Sequence, residues 1–215
     1  MPHETPRLRS GSSRGSAPRV KRFHHGNLRQ ALIDAALAAP DIEGLSLNQL
    51  AASAGVTAAA VYKHFASREA LLDEVARIGF ERLEARFAEV FDIARPPGGA
   101  ADARARLSGL GQAYLRFADD EAPLWRLMFG MQAAAYRATA RPVLHPNSYQ
   151  YLPAALLGLH RCGVVAREPD ERDTLFAWSA IHGAAMLRAG GVPTALRPVS
   201  ELAKDVADRV VRSLG

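Results

Sequence analysis

Side chains that can donate hydrogen bonds cluster in one short stretch of the 215-residue chain: Thr57, Tyr62, Lys63 and His64. A hydroxyl, a phenol, an ammonium and an imidazole are all groups that contact nucleic-acid phosphates. Ala58 and Ala59 lie among them and are too short to hydrogen-bond a base edge, so any base contact they make would be apolar, against the methyl group of thymine. The stretch therefore has the chemistry of a DNA contact surface.

The segment before these residues predicts the first helix of a helix-turn-helix. Ser46 is a good N-cap, because its hydroxyl can accept a hydrogen bond from an amide of the first turn. Leu47, Leu50 and Ala51 then recur on one helical face. Gly55 can adopt the left-handed conformation that closes the end of such a helix.

A second helix is predicted directly after this turn. Thr57 can cap it, so the turn is about three residues long. Val61 and Phe65 would face the first helix, and we expect Phe65 in the core. The hydrogen-bond donors are then left on the solvent side, where the second helix of such a pair enters the DNA major groove. In the alternative arrangement, Tyr62 and His64 pack against a neighbouring helix.

The positive charge of the chain is concentrated in its first residues. Residues 1–22 contain six basic residues, Lys21 and Arg22 among them, and one acidic residue, which accounts for the whole formal net charge of +5. The segment has too few apolar residues to offset the entropy of ordering, so it is predicted to be a flexible arm. Such an arm can follow the phosphate backbone or enter a minor groove, or it can be a solubilising tail without a defined contact.

Composition favours an all-α protein. Hydrophobic residues make up 48% of the chain, enough for a sizeable core, and no alternating apolar and polar run predicts a sheet. The single cysteine, Cys162, excludes an internal disulfide and is expected to be a small buried hydrophobe. No apolar run reaches the roughly 18 to 20 residues of a membrane span, and no signal sequence is recognisable, so we expect a cytoplasmic protein.

Helix start and stop signals predict the domain organisation. We expect a flexible arm over 1–22, a helix-turn-helix domain over 23–66, a connecting helix over 67–94 and a helical domain over 95–215. Within the last domain, a helix beginning at residue 148 would be kinked by Pro153, whereas one beginning near 152 would hold this proline in its first turn. Outside the helix-turn-helix pair, helices are predicted over residues 27–39, 67–94, 101–118, 123–136, 152–162, 170–189 and 200–214.

These motifs together carry a family resemblance. Gly55-Val56-Thr57, Tyr62-Lys63-His64-Phe65 and Ser67-Arg68-Glu69-Ala70-Leu71-Leu72 follow one another in fixed order. Residues 22–72 resemble the DNA-binding domain of TetR-type transcriptional regulators, and Trp178 with His182-Gly183 resembles the signature of one group of TetR-type ligand domains. The resemblance implies a three-helix DNA-binding domain joined by a long helix to a helical bundle for ligand binding and dimerisation.

The resemblance also implies roles for individual residues. Thr57 and Tyr62 are similar to the phosphate contacts of the family, and Lys63 and His64 are further candidates. The chain departs from the family at residues 58–60, three alanines where a glycine or a polar residue is common, which leaves little capacity for base readout by hydrogen bonds. The predicted DNA-contacting residues are Lys21, Arg22, Ser46, Thr57, Ala58, Ala59, Tyr62, Lys63 and His64.

A small-molecule effector is implied for the C-terminal domain. Aromatic and thioether side chains concentrate between Tyr114 and Tyr136, as they would around an apolar cavity, although core packing explains the same residues. His182 is either a hydrogen-bonded core histidine or a ligand contact. We expect an apolar or aromatic effector, because no charged constellation suggests an ionic one. The predicted ligand-binding residues are Tyr114, Phe117, Trp125, Met128, Phe129, Trp178 and His182.

The last two helices are predicted to mediate dimerisation. The segment from Thr174 to Leu187 is apolar on nearly every side, so it must be covered by other helices or by a second subunit. Since TetR-like proteins dimerise through these two helices, the resemblance implies a homodimer on a palindromic operator in double-stranded DNA. Burial within one subunit is the alternative. The predicted interface residues of the last helix are Val199, Leu202, Val206, Val210 and Leu214.

No constellation in the sequence predicts an enzyme, a cofactor or a metal site. Cys162 has no evident histidine and acid partners, and no phosphate-binding glycine loop or zinc-spaced cluster is recognisable. His24 and His25 are adjacent but have no spaced third ligand. The predicted function is a DNA-binding transcriptional regulator, a repressor released by its effector. The alternatives are a DNA-binding regulator controlled by a protein partner and, least favoured, a helical enzyme.

Overall fold

The computed structural model describes residues 28–130 and 148–215. Every regular element in these two ranges is helical, so the prediction of an all-α protein is confirmed. Two 3-10 turns, Ser148–Gln150 and Pro193–Ala195, accompany the α-helices. The helices of this part of the chain are α1 (Leu28–Leu37), α2 (Leu47–Ser53), α3 (Ala58–Tyr62), α4 (Arg68–Val90), α5 (Ala100–Asp120), α6 (Ala122–Phe129), α7 (Tyr151–Arg161), α8 (Glu171–Ala189) and α9 (Val199–Ser213).

Helices α1 to α3 form the predicted helix-turn-helix unit. Ser46 caps α2 in a reciprocal arrangement, since its side chain accepts from the backbone N–H of Gln49 while the Gln49 side chain accepts from the backbone N–H of Ser46. Gly55 has a φ of 66°, the left-handed conformation that the turn requires. Val61 and Phe65 are buried, 0% and 3% exposed, as predicted.

Helix α4 begins where predicted and ends earlier. Ser67 Oγ accepts from the backbone N–H of Ala70 at 3.2 Å, which caps the first turn. The predicted end near Ala94 is wrong, because Phe91 already has an extended backbone with φ −161° and its ring is buried, 8% exposed. Burial of this aromatic ring turns the chain away from the helix axis.

A buried arginine holds the turn that follows α4. The Arg106 guanidinium donates to the carbonyl oxygens of Arg95 at 2.7 Å and Pro96 at 3.1 Å, and it lies 4.9 Å from the ring centroid of Phe91. These contacts satisfy two backbone carbonyl groups of the irregular segment between α4 and α5. They are tertiary interactions, so the local sequence pattern gave no sign of them.

Helix α5 is the central helix of the C-terminal domain. Helix α9 packs along its length, and α4, α7 and α8 contact it as well. Gly111 permits this close packing, since a methyl group at that position would lie 3.3 Å from both Ala203 Cβ and Ile181 Cδ1. The walls of the domain therefore converge on the middle of α5.

The boundaries of α6 and α7 differ in part from the predicted helices, and the start of α7 decides between the two alternatives for Pro153. Helix α6 ends at Phe129, short of the predicted end at Tyr136, which lies outside the described residues. Pro153 is the third residue of α7 and a 3-10 turn precedes that helix, so the arrangement with the proline in the first turn is confirmed. Cys162 caps the C-terminal end of α7 and is half-buried rather than buried.

Ion pairs join α4 to the junction between α5 and α6. Arg82 contacts Glu121 at 2.6 Å, and Arg86 contacts Asp120 at 2.8 Å. A similar pair joins Arg188 of α8 to Asp119 at 2.9 Å. These contacts hold the connecting helix against the larger domain at the level of the α5–α6 turn.

Candidate nucleic-acid interface and ligand cavity

The surface predicted to contact DNA is exposed. Tyr62 is 56% exposed, and Thr57, Lys63 and His64 are exposed beside it. This exposure favours the solvent-facing arrangement over the alternative in which Tyr62 and His64 pack against a neighbouring helix. An aromatic ring with more than half of its surface in solvent, next to a lysine and a histidine, is the arrangement of a surface that meets a charged partner.

Thr57 and Ser46 both cap helices at this surface, but only Thr57 keeps a hydroxyl hydrogen that can donate outward. Thr57 Oγ1 accepts from the backbone N–H of Ala60 at 3.3 Å, which leaves the hydroxyl hydrogen to donate outward. Ser46 Oγ accepts from the Gln49 backbone and donates to Gln49 Oε1 at 2.7 Å. Its proton is therefore used within the cap, and Ser46 is suited to holding α2 rather than to donating to a phosphate. Lys21 and Arg22 lie outside the described residues.

An apolar cavity lies in the interior of the C-terminal domain. Its volume is about 80 Å³. Helices α4, α5, α7, α8 and α9 supply its walls, together with Phe129 at the end of α6 and the turn at 148–149. Among the described residues that line it there is no charged side chain, so this part of the cavity suits an uncharged molecule.

The residues predicted to bind ligand fall into two groups. Tyr114, Phe129 and Trp178 line the cavity. Phe117, Trp125 and Met128 are not part of this lining and are buried in the surrounding core. The ring centroid of Phe117 lies 5.6 Å from the Arg86 guanidinium of α4, and Met128 packs against Gly79 of the same helix. The remaining prediction, His182, lies behind the wall rather than in it.

A hydrogen-bonded network supports the cavity wall. The Tyr114 hydroxyl accepts from Trp125 Nε1 at 3.0 Å and hydrogen-bonds His182 Nδ1 at 2.7 Å. Burial raises the pKa of Tyr114, so the phenol stays neutral at physiological pH. The His182 ring stacks on Trp178, with ring centroids 5.5 Å apart. Trp178 and His182 thus act together to orient the one phenol that faces the cavity from α5.

Several wall residues had no distinct signal in the sequence. Phe80, Leu83 and Phe87 of α4 face the cavity, and so do Thr174 and Ala177 of α8. In the sequence the α4 residues form part of an ordinary amphipathic stripe, which predicts burial without showing what is buried against it. Only the tertiary packing of α4 across α5 shows which of these residues line the cavity and which are buried in the core.

The dimer prediction for the last helix is corrected by the structure. Leu202, Val210 and Leu214 are 7%, 2% and 4% exposed within one subunit, because α9 packs along α5. Val206 faces the cavity and Val199 is half-buried. Leu202, Val210 and Leu214 are therefore covered within one subunit and are not available to a partner, whereas Val199 and Val206 are only partly buried. The exposed large apolar residues of the last two helices are instead on α8: Leu175 (63%), Phe176 (50%), Met186 (45%) and Leu187 (52%).

Two regions of the chain match models of one family. Residues 32–75 match the model described as "Bacterial regulatory proteins, tetR family", and residues 107–214 match "Tetracyclin repressor-like, C-terminal domain". The chain belongs to the TetR family. It is therefore a DNA-binding transcriptional regulator and not an enzyme.

Solved structures of similar proteins agree with this TetR-family membership. A protein of unknown function from a Rhodococcus species is 34% identical, with 90% of this chain and 98% of that chain covered and a TM-score of 0.72. The TetR-family regulator PfmR from Thermus thermophilus is 21% identical, with coverages of 86% and 99% and a TM-score of 0.62, and so is similar in fold. No functionally curated protein matches the chain.

Neither a metal cluster nor a membrane span is found in the described part of this TetR-family chain. Within residues 28–130 and 148–215, no three histidine, cysteine or acidic residues are grouped so that they could hold a metal ion. In the same ranges, no helix is long and apolar enough to cross a membrane.

Proposed function

We propose that this TetR-family regulator is a repressor that binds a palindromic operator as a homodimer and releases it when a small apolar or aromatic effector occupies the cavity. One observation carries the proposal. Helix α4 lines the cavity with Phe80, Leu83 and Phe87 and, at its other end, packs against α1 of the helix-turn-helix unit. A displacement of the cavity wall therefore acts on the same rigid element that orients the DNA-binding surface.

The proposed contacts to DNA divide by chemistry. Thr57, Tyr62, Lys63 and His64 donate to phosphates and fix the position of α3 in the major groove. Ala58 and Ala59 contact thymine methyl groups. Because neither alanine can hydrogen-bond a base, sequence preference at these positions would favour A·T pairs. Acting on DNA, the protein is expected to work in the cytoplasm.

The exposed apolar face of α8 supports the proposed homodimer. Leu175, Phe176, Met186 and Leu187 together leave more apolar surface in solvent than scattered surface residues explain. A second copy of the same face would cover it under two-fold symmetry. Two recognition helices about one DNA turn apart would then read a palindrome.

The cavity supports the proposed chemistry of the effector. Its volume, about 80 Å³, is well below the roughly 300 to 1,000 Å³ of typical ligand pockets. An effector larger than a few heavy atoms must push the walls of the cavity apart. Because α4 forms part of these walls, binding would displace α4. The absence of charged lining among the described residues favours a neutral aromatic or aliphatic molecule.

The small cavity also favours a second candidate. A regulator controlled by a protein partner needs no space in its interior, and an 80 Å³ cavity fits that case without any expansion. Thermal shift separates the two candidates. A panel of neutral aromatic and aliphatic compounds is expected to contain molecules that raise the melting temperature, whereas a regulator without a ligand would respond to none.

Operator DNA for the test can be selected from a library of random duplexes. The expected product is a palindrome, and compounds that raise the melting temperature are expected to weaken its binding in a gel-shift assay. Failure to enrich any duplex would overturn the proposed function. Enrichment of a single half-site without symmetry would overturn the dimeric arrangement.

A further inference from the structure

The C-terminal end of α6 meets the DNA-binding unit at one acidic side chain. A methyl group built on Gly130 would lie 3.2 Å from Glu43 Oε1, and 2.5 Å from the carbonyl oxygen of Arg126. Glu43 belongs to the turn between α1 and α2, while Gly130 directly follows Phe129, which lines the cavity. The cavity wall and the helix-turn-helix unit are therefore one residue apart at this contact.

The carboxylate of Glu43 is poorly satisfied there. Its Oε1 atom is buried and has no hydrogen-bond partner, the one such side-chain oxygen or nitrogen among the described residues. The nearby Arg126 carbonyl is no donor either, and it already accepts from the backbone N–H of Gly130. A buried acceptor without a donor costs free energy. This contact is therefore held in place by the rest of the structure rather than by its own attraction.

The turn that carries Glu43 is clamped to the DNA-binding unit. The Arg68 guanidinium, at the first residue of α4, donates to the carbonyl oxygen of Glu43 and, at 2.8 Å, to that of Leu45. The next residue, Ser46, is the N-cap of α2. A push on Glu43 is thus delivered to the starts of both α2 and α4.

We propose that Glu43 is a positioning residue that transmits the state of the cavity to the helix-turn-helix unit, by a route separate from the length of α4. This inference rests on the proposed function, since it names how the effector cavity and the DNA surface communicate. An effector that enlarges the cavity displaces Phe129, and Gly130 moves with it. The buried Glu43 side chain occupies the space beside Gly130 and gains no hydrogen bond from closer approach, so the turn around Glu43 yields and α2 shifts relative to α3.

Tryptophan emission provides a readout of the cavity. The chain has two tryptophans, and Trp125 and Trp178 have ring centroids 6.0 and 5.6 Å from that of Phe129. Coupling is reciprocal, so operator DNA that fixes the DNA-binding unit must alter the cavity. The experiment measures the change in emission when the selected operator duplex saturates the wild-type protein, and compares it with the same change in the variants.

The variants separate the contact from the turn that carries it. Glu43→Ala removes the contact, and Glu43→Gln removes the charge but keeps a side chain of the same length beside Gly130. Asp41→Asn is the matched control. It removes the same charge from the same turn but keeps the side-chain oxygen that accepts from Gly44 N at 2.9 Å. Melting curves establish that every variant is folded.

Glu43→Ala is expected to lose at least half of the DNA-induced emission change, while Glu43→Gln and Asp41→Asn retain it. A full change in Glu43→Ala, or an equal loss in Asp41→Asn, would overturn the inference while leaving the proposed function intact. So would wild-type protein that binds operator without any change in emission. A wild-type protein that binds no duplex would overturn the proposed function, and this inference with it.

Discussion

At the scale of single residues, the DNA-binding surface is a small set of exposed donors around two alanines. Thr57 accepts from the backbone N–H of Ala60 and keeps its hydroxyl hydrogen to donate outward, and the side chains of Tyr62 and Lys63 are exposed to solvent. Contacts of this kind fix position without reading sequence. The types and spacing of these residues were enough to predict their exposure, because a capped second helix with Val61 and Phe65 buried leaves them nowhere else to point.

Tyr62→Phe and Lys63→Ala are expected to weaken binding to every DNA sequence by a similar factor. Loss of the phenol hydroxyl removes a hydrogen bond to a charged phosphate, worth about 1.5 to 3 kcal/mol. Loss of Lys63 should also lower the slope of log affinity against log salt by about one. Fluorescence anisotropy on the selected operator and on a scrambled duplex, at several salt concentrations, measures both effects. A change in sequence preference would show that one of these side chains contacts a base.

Residues that act through tertiary contacts could not be found in the sequence. Arg106 resembles any charged residue of an amphipathic helix, yet it is buried and holds the turn after α4. Phe129 and Trp125 were equal candidates for the ligand site, because both belong to the same aromatic segment. The structure separates them, since Trp125 hydrogen-bonds Tyr114 from behind the cavity wall while Phe129 forms part of that wall.

At the scale of elements, a hydrogen-bond network of Arg167, Asp170 and Asp173 holds the start of helix α8. Asp170 caps it and accepts from the backbone N–H groups of Arg172 and Asp173. Both terminal nitrogens of the Arg167 guanidinium donate hydrogen bonds to the Asp173 carboxylate, each at 2.6 Å. A hydrogen bond from Arg167 and a second one from the Asp170 backbone lower the pKa of Asp173 to about 2. This network fixes the N-terminal end of α8, close to Thr174, which lines the cavity.

Asp173→Asn is expected to lower the melting temperature at pH 7, by an amount that shrinks as the pH falls. The pKa in the folded state lies below the unfolded value of about 3.9, so the contribution of the carboxylate is fully present above that value and is lost as the pH falls toward 2. Melting curves of wild type and variant between about pH 7 and pH 2 test this. Asp208→Asn, which breaks an exposed pair within α9, is the control. A difference that stays constant over the range would contradict the assignment.

The elements themselves were largely predictable, and their partners were not. Caps at Ser46, Thr57 and Ser67 gave the starts of three helices, because a cap is a local interaction. The stripe on α9 was also recognised, but it was predicted to face a second subunit. An apolar stripe shows only that something covers it, and here that cover is α5 of the same chain.

At the scale of the whole molecule, two faces of α8 meet different surroundings. One face, with Ala177 and Trp178, lines the cavity, and the other exposes Phe176 and Leu187. A partner bound to the second face would press on the same helix that an effector contacts from inside. Dimer contact and effector binding would therefore depend on one element.

Phe176→Arg is expected to produce a monomer at micromolar concentration. The substitution places a charge in the centre of the proposed interface, where its desolvation opposes association. Light scattering after size-exclusion chromatography measures the mass of the particle. Ile93→Arg, at an exposed apolar residue in the turn after α4, is the control and should remain dimeric. A dimeric Phe176→Arg variant would place the interface elsewhere.

The most direct measurement is a reciprocal titration of effector and operator. A compound that raises the melting temperature is titrated into protein bound to its selected operator, and operator is titrated into protein bound to the compound. A repressor released by its effector must show each ligand weakening the other by the same factor, expected to lie between about 5-fold and 150-fold. Operator affinity that stays unchanged when the compound saturates the protein would contradict the proposed repressor.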